Sequence, residues 1–337
     1  MKRYTNKDIA KMAGVSPAAV SIAINGKKGI SAEMRASILD IVKKTNYYPN
    51  PNSRRLLSNR TNSIAILLRN DIKPIDQLFH TELTESIFNA CNNEQVNLIF
   101  STLQRYDGGS MLPQIIRSRD VDGVLIYGDI DSSVLEEISN YEIPFVVLDS
   151  SLSSTPYPAV RVDYQLAAYT AAKYLLDCGH TDIAYIGNST MSQKHFNYAV
   201  FSGFQKALTE ANISLPLNRI QIEVYDETSL YASVRQAMEG TNKPTALFCA
   251  TDVYACYSLN YLSAQGYSVP EQVSIIGIDD IIISRFTTPS LTTIRIDRGA
   301  IGREGYRLLQ TCIEHGQAEG ITIPSCELIL RNSVRAL

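Results

Sequence analysis

Histidine is scarce in this chain, and the common catalytic motifs are missing from it. Its four histidines, His80, His180, His195 and His315, have no cysteine, serine or glutamate partner at a motif spacing, which removes the usual nucleophile–base arrangements. No G-x-G-x-x-G, Walker loop or G-x-S-x-G stretch is present, so dinucleotide, nucleotide and serine-hydrolase chemistry lack their loops. His180 follows a glycine at an expected helix end, where capping or an interaction with the helix dipole is its default role. The six cysteines (Cys91, Cys178, Cys249, Cys256, Cys312 and Cys326) are dispersed in apolar stretches without metal-ligand spacing; they read as reduced core residues. There is no run of 18 apolar residues and no apolar segment behind the basic N-terminus, so neither a membrane span nor an export signal is expected. These absences predict a cytoplasmic, non-enzymatic protein with no metal and no cofactor.

What the chain does have is an uneven distribution of charge. Residues 1–60 hold 12 Lys or Arg against 3 acids, a net of +9, whereas the remainder holds 19 basic and 31 acidic residues, a net of −12. The overall charge of −3 conceals this division. A basic head on an acidic body is the footprint of a phosphate-binding module joined to something else.

Within the head, Thr5 followed three residues on by Asp8 predicts a capped first helix, with Ile9, Ala10 and Met12 on its buried face. Gly14 ends it. Ser16 can cap a second helix with Pro17 at its first position, and Asn25-Gly26 closes that element. Val20, Ala23 and Ile24 fall on one side of the second helix, leaving Ala18, Ser21, Ile22 and Asn25 on the other. So tight a turn makes the two helices cross steeply, as in a helix-turn-helix. A third helix from Ser31 offers Met34, Ile38, Ile41 and Val42 to a common core with Val15 and Val20.

The run D-I-A-K-M-A-G-V-S, then V-S at 20–21, N-G at 25–26, Y-x-P-N at 47–50 and R-x-L at 54–56, resembles the headpiece and hinge of the lactose-repressor/galactose-repressor family of bacterial transcription regulators. The resemblance implies that the helix from Pro17 to Asn25 reads a major groove, with Thr5, Ser16, Pro17, Ala18, Ala19, Ser21, Ile22, Asn25 and Lys27 at the DNA. Pro17, Ala18 and Ile22 occupy the usual specificity positions. Small apolar groups touch thymine methyls but make no bidentate hydrogen bonds to purine edges. Backbone contacts, Ser21, Asn25 and the hinge are therefore expected to contribute more of the recognition. Lys2, Arg3, Lys7, Lys27, Lys28, Arg54 and Arg55 are candidates for phosphate contacts.

Residues 46–62 read as a linker in which Asn50 can cap, Pro51 can open, and Ser53, Arg54, Arg55, Leu56 and Leu57 can continue a helix of about two turns. A helix that short is marginal in water, so it should fold when something holds it. The resemblance implies that DNA and a dimer partner do so: Ser53 and Arg54 lie at the minor groove, and Leu56 wedges into the central base step. Such unstacking costs roughly a few kcal/mol per step.

From Ser63 short apolar runs alternate with helical stretches. SIAILL (63–68), VNLIFS (96–101), GVLIYG (123–128) and PFVVLD (144–149) form one set. IAYIG (183–187), RIQIEV (219–224), TALFCA (245–250) and VSIIGID (273–279) form another. Near-continuous apolar strands between helices predict parallel sheets buried on both faces. The fold class expected is α/β: an all-α helix-turn-helix headpiece plus a two-lobed, periplasmic-binding-protein-like effector domain. The expected divisions are a headpiece at 1–49, a hinge at 50–62 and an effector and dimerisation domain at 63–337. Its first lobe would comprise about 63–160 and 293–320, and its second about 161–292 and 321–337.

Ligands of open parallel sheets bind beyond the carboxyl ends of strands. Asp149, Tyr225, Thr251-Asp252 and Asp279-Asp280 stand there; carboxylates can bond the hydroxyls of a polar ligand and an aromatic can cover a sugar ring. Each aspartate can instead cap the following helix. CGHTDIAYIG, TALFCATDVYA, VSIIGIDD and PSLTTI match the family's effector domain, and the resemblance implies effector contacts from Asp149, Tyr225, Thr251 and Asp279, with Phe79 lining the first lobe. The family's usual arginine, three residues ahead of Gly203, is here Val200; Lys194 or His195 could substitute. The expected protein is a homodimeric repressor of a pseudopalindromic operator in double-stranded DNA, controlled by a sugar-like effector. No heptad repeat follows RNSVRAL, so a dimer rather than a tetramer is expected. A cytosolic sugar sensor without DNA binding is the alternative from another class.

Overall fold

The structure is a computed structural model. It describes residues 4–47, 60–69, 77–104, 111–128, 130–151, 156–188, 196–323 and 327–337, with the backbone alone for residues 69 and 77–80. The chain divides into two compact units, Met1–Thr61 and Asn62–Leu337.

The first unit contains α1 (Asn6–Ala13), α2 (Pro17–Ile24) and α3 (Ala32–Thr45). Thr5 caps α1 in a reciprocal box: its Oγ1 accepts from the Asp8 N–H at 3.3 Å, while the Thr5 N–H donates to Asp8 Oδ2 at 2.8 Å. Gly14 ends α1 at φ +66°, a conformation that a Cβ would strain. Ser16 caps α2 through the Ala19 N–H and Ser31 caps α3 through the Met34 N–H, both at 3.2 Å. Ile9, Ala10, Val20, Ala23, Ile38 and Tyr47 make the core.

Two expected core residues lie outside it: Met12 is 53% exposed and Met34 is 40% exposed. Two eight-residue helices against α3 enclose a core too small to cover long side chains at its rim. Met12 lies about a third of a turn from the Ile9–Ala10 stripe. The expected hinge helix, with Ser53, Arg54, Arg55, Leu56 and Leu57, falls outside the described residues, as do Lys2 and Arg3.

The second unit is built on two six-stranded sheets. β1 (Ser63–Arg69), β2 (Asn97–Leu103), β3 (Gly123–Tyr127), β4 (Phe145–Ser150), β5 (Ala159–Val162) and β11 (Ile321–Ile323) form the first, in the order β11-β5-β4-β3-β1-β2. All of its pairings are parallel. Successive residues of β1 face opposite ways, and both faces are buried. Ile64 and Ile66 join Leu83 and Ile87 of α4 (Gln77–Glu94), while Ala65 and Leu67 join Ile116 of α5 (Gln114–Arg117) and Leu135 and Ile138 of α6 (Ser132–Asn140).

β6 (Ile183–Ile186), β7 (Ile220–Gln221), β8 (Ala246–Cys249), β9 (Ser274–Asp279), β10 (Thr292–Arg295) and β12 (Glu327–Ile329) form the second sheet, in the order β12-β10-β9-β8-β6-β7. Here only β12 runs antiparallel, against β10. α7 (Tyr164–Asp177), α8 (Phe196–Glu210), α9 (Glu227–Ala237) and α10 (Asp252–Ala264) cover this sheet, and α11 (Arg298–His315) returns to pack on β4 and α4.

The chain thus crosses between sheets three times: after β5, between β10 and α11, and between β11 and β12. This corrects the expected lobe limits, because residues 292–295 belong to the second sheet and 321–323 to the first. Both strands are short, and no apolar run marks either. β7 is also shorter than the expected 219–224. Arg219 leaves the strand to bond Asp182 with Nε at 2.6 Å and Nη2 at 2.9 Å, and only a bridge between Asn188 and Glu223 continues the pairing. Among the described residues no helix is long and apolar enough to cross a membrane.

Candidate functional site

In the head, the groups that fix α2 are distinct from those it exposes. Asn6 Nδ2 donates to the Pro17 carbonyl at 3.3 Å, tying the starts of α1 and α2 together. At the other end Arg35 of α3 donates through Nη1 to the Ile22 and Ala23 carbonyls, at 3.2 and 2.9 Å, and through Nη2 to the Lys27 carbonyl. A cation at a helix C-terminus satisfies open carbonyls and opposes the negative end of the dipole. Ser16, Pro17, Ala18, Asn25 and Lys27 are exposed, and Ala19, Ser21 and Ile22 half-buried. Asn25 Nδ2 donates to the Ser21 carbonyl at 2.9 Å and to Ser21 Oγ at 3.3 Å, so these two polar side chains are presented as one unit. Ile22 is half-buried, less available than its position on the helical wheel suggested, and a side chain at Gly29 would come within 3.8 Å of its Cδ1.

In the second unit, two of the expected effector residues meet where the chain crosses between sheets. Asp149 is the last residue but one of β4, at φ +56°, and Asp279 ends β9 at φ +132°, backbone states that non-glycine residues seldom hold and that cluster at functional sites. Both are buried. The hydroxyls of Tyr127 and Tyr164 donate to Asp149, at 2.8 Å to Oδ2 and 2.6 Å to Oδ1. Arg298, at the start of α11, donates through Nη2 to Asp279 Oδ1 at 3.0 Å and through Nη1 to the Asp279 carbonyl at 3.4 Å.

Burial, and then the Asp149 charge, push both phenols well above their ordinary range, so they remain protonated donors. Burial likewise raises the Asp279 carboxyl, against the opposing pull of Arg298. For Arg298 burial acts downward, but Asp279, the two phenols and Asp149 outweigh it and raise the guanidinium above its ordinary value. A guanidinium does not release its proton at neutral pH. Protonating Asp279 would leave that cation buried without its 3.0 Å partner. The pair is therefore ionised.

Thr251, Tyr225 and Asp252 have other surroundings. Thr251 caps α10, its Oγ1 accepting from the Tyr254 N–H at 3.3 Å. Tyr225 is 63% exposed, and its N–H donates to Ser229 Oγ at 2.9 Å. Asp252 is a scaffold group, accepting from the Ile281 N–H at 3.1 Å, Ser284 Oγ at 2.6 Å and Thr293 Oγ1 at 2.5 Å. Its carboxyl is pushed up to about 6 by burial. Asp280 faces Arg331, Arg295 and Arg285. Burial acts upward on it, but Arg331 and Arg295 hold its carboxyl below the ordinary range. Val200 is buried in the core. Lys194 and His195 lie outside the described residues, as does the side chain of Phe79.

Residues 5–50 match the model of the bacterial regulatory proteins of the lacI family, and residues 150–334 match that of the periplasmic binding protein-like domain. The chain belongs to the lacI family. It is a DNA-binding transcriptional regulator with a periplasmic-binding-protein-like body. It is 30% identical over 339 residues to the HTH-type transcriptional repressor PurR of Mannheimia succiniciproducens, covering 99% of both chains. It is 29% identical over 304 residues to catabolite control protein A of Priestia megaterium, covering 90% of both. The lac repressor dimer bound to operator and the anti-inducer ONPF superposes with a TM-score of 0.83 at 21% identity, over 99% of this chain and 100% of that one. Of the residues expected from the strand ends, Asp149 and Asp279 are brought into one cluster. Tyr127, Tyr164 and Arg298 were missed. Tyr127 also ends a strand, and the same rule would have found it; Arg298 follows β10, a strand with no apolar run to announce it.

Proposed function

We propose that the protein is a homodimeric repressor whose paired heads bind a pseudopalindromic operator, with a small-molecule effector held between the two sheets of the body. Supporting it is one observation: the outer face of α2 is open, with Pro17, Ala18 and the coupled Ser21–Asn25 pair presented together. In this reading α2 enters the major groove. Pro17, Ala18 and Ile22 touch thymine methyls, Ser21 and Asn25 hydrogen-bond base edges, and Thr5, Ser16, Ala19 and Lys27 contact the backbone. Ser53, Arg54 and Leu56 act in the minor groove. Asp149 and Asp279, together with Phe79, Tyr225 and Thr251, hold a sugar-like effector. The protein works in the cytoplasm, on DNA, and has no catalytic role.

An effector that inverts a 99:1 population must prefer one state by about 5.5 kcal/mol. The deciding experiment is selection of DNA from a random pool by the full-length protein at two salt concentrations, with and without a panel of sugars. Enrichment of a two-fold-symmetric site whose affinity responds to one ligand is expected. Enrichment of no sequence, with a sugar still bound, would favour a sensor that does not bind DNA.

A further inference from the structure

Two buried bonds cross between the lobes, and they do so reciprocally. Asp149 belongs to β4 of the first sheet, and the phenol that donates to its Oδ1 at 2.6 Å comes from Tyr164, the first residue of α7, which packs on the second sheet. Asp279 ends β9 of the second sheet, and the guanidinium that reaches its Oδ1 at 3.0 Å and its carbonyl at 3.4 Å comes from Arg298, the first residue of α11, which packs on the first. Each lobe thus offers a carboxylate to a donor of the other. Tyr164 stands just past β5 and Arg298 just past β10, so the bonds fasten two of the three places where the chain changes sheets. All four residues are buried, and a donor removed from either pair leaves an acceptor that water does not readily satisfy. Tyr127 supplies a contrast: it donates to the other oxygen of Asp149 at 2.8 Å, but from β3 of the same sheet. One carboxylate therefore receives two phenols, one from within its lobe and one from across.

We propose that Tyr164 and Arg298 are positioning residues that fix how the two lobes are set against each other, and that through this setting they tune operator affinity before any effector is bound. This rests on the reading of the body as the controller of the heads. Neither residue has to touch an effector or DNA to do so. An equilibrium between two lobe settings responds only to interactions that differ between them. A hydrogen bond within one lobe, such as that of Tyr127, travels with the lobe and is the same in both settings. A bond from one lobe to the other is not. Loss of the first kind lowers stability alone, whereas loss of the second also shifts the populations.

The test sets Tyr164→Phe beside Tyr127→Phe in the full-length protein without ligand. Each variant takes one hydroxyl from the same carboxylate, so a purely structural role gives equal effects. Amide hydrogen exchange of residues 159–164 and 292–298, which span the two crossings, should be at least about threefold faster in Tyr164→Phe than in Tyr127→Phe. Anisotropy titration of an operator selected from a random pool should show a Kd moved at least about threefold further by Tyr164→Phe, a size usual for residues that modulate coupling without contacting either ligand. Arg298→Lys, which keeps the charge and gives up the forked contact, should move the Kd in the same direction as Tyr164→Phe, because both loosen one setting.

Equal exchange in the two phenylalanine variants would overturn the proposal by removing the tie between the lobes. A difference in exchange without one at the operator would also overturn it, and would count against the body's control of the heads rather than against the tie. Opposite shifts from Tyr164→Phe and Arg298→Lys would show that the two bonds do not hold a common setting.

Discussion

The Tyr164 hydroxyl donates to Asp149 Oδ1 at 2.6 Å, joining the first residue of a helix that covers the second sheet to the end of a strand in the first. Tyr127 donates to the other oxygen from within the first sheet. Phenylalanine at either position removes a donor to a buried carboxylate, at a cost of about 1–3 kcal/mol. Urea unfolding of Tyr127→Phe, Tyr164→Phe and the double variant should give non-additive losses, because both act on one group. Strict additivity would mean that the two bonds are independent.

Acid should weaken the body through His180. Its ring is buried, with Nδ1 at 2.9 Å from Thr245 Oγ1 and Nε2 at 3.0 Å from the Arg335 carbonyl, and burial lowers its pKa below 6.5. The unfolded chain then binds a proton more readily than the folded one. The stability is fully present above about pH 6.5 and is lost as the pH falls from there through the folded value. The melting temperature should drop over that window in the wild type. In His180→Gln the drop should flatten; an unchanged profile would place the effect elsewhere.

Gly277→Ala should be among the most damaging single substitutions. A Cβ there would sit 2.2 Å from Asp252 Oδ1, the oxygen that Thr293 holds at 2.5 Å. Displacing a buried carboxylate from its donors should cost about 2–4 kcal/mol. A change in denaturation midpoint equivalent to under about 0.5 kcal/mol would show that Asp252 relaxes freely.

Arg35 and Lys28 should behave differently although both are basic residues of the head. Arg35 serves the end of α2, so Arg35→Gln should speed hydrogen exchange of the α2 amides in the full-length protein, with little effect on the salt dependence of DNA binding. Lys28 is exposed. If it contacts phosphate, Lys28→Gln should reduce the salt slope by about 0.9 per head. The opposite assignment would follow if Arg35→Gln altered the slope.

Leu56→Ala should weaken binding to a selected operator while leaving binding to random DNA and its salt slope nearly unchanged, because a wedge acts on a particular base step. Anisotropy titrations on both DNAs make the comparison. Equal losses on the two would contradict the wedge.

The helix ends of the head were legible to the residue, because its caps are local: Thr5 with Asp8, Ser16 with Pro17, and Ser31 each act within one turn. The long strands were legible for the same reason, since SIAILL and GVLIYG are buried on both faces and say so in composition. The strands at the crossings were not. TTIR and AVRV mix polar and charged residues with apolar ones, and in TTIR the arginine serves a distant group: Arg295 Nε reaches Asp280 at 2.9 Å. The clustering of Arg298 with Asp279 depends on which strands become neighbours, and no local spacing encodes it. Thr251 illustrates the converse. Its position after β8 suggested a ligand contact, and the same position makes it a cap.

Interleaving the two sheets also constrains when the body can fold. β11, which completes the first sheet beside β5, lies about 160 residues later in the chain. On a ribosome adding about 5–20 residues per second, that edge stays open for roughly 8–32 s after β5 is made. The α11 helix that covers β4 is delayed almost as long. The nascent chain must therefore hold an unfinished, apolar sheet through about half of its synthesis, and its yield in the cell should depend on chaperones that shield that sheet more than on the stability of the finished protein.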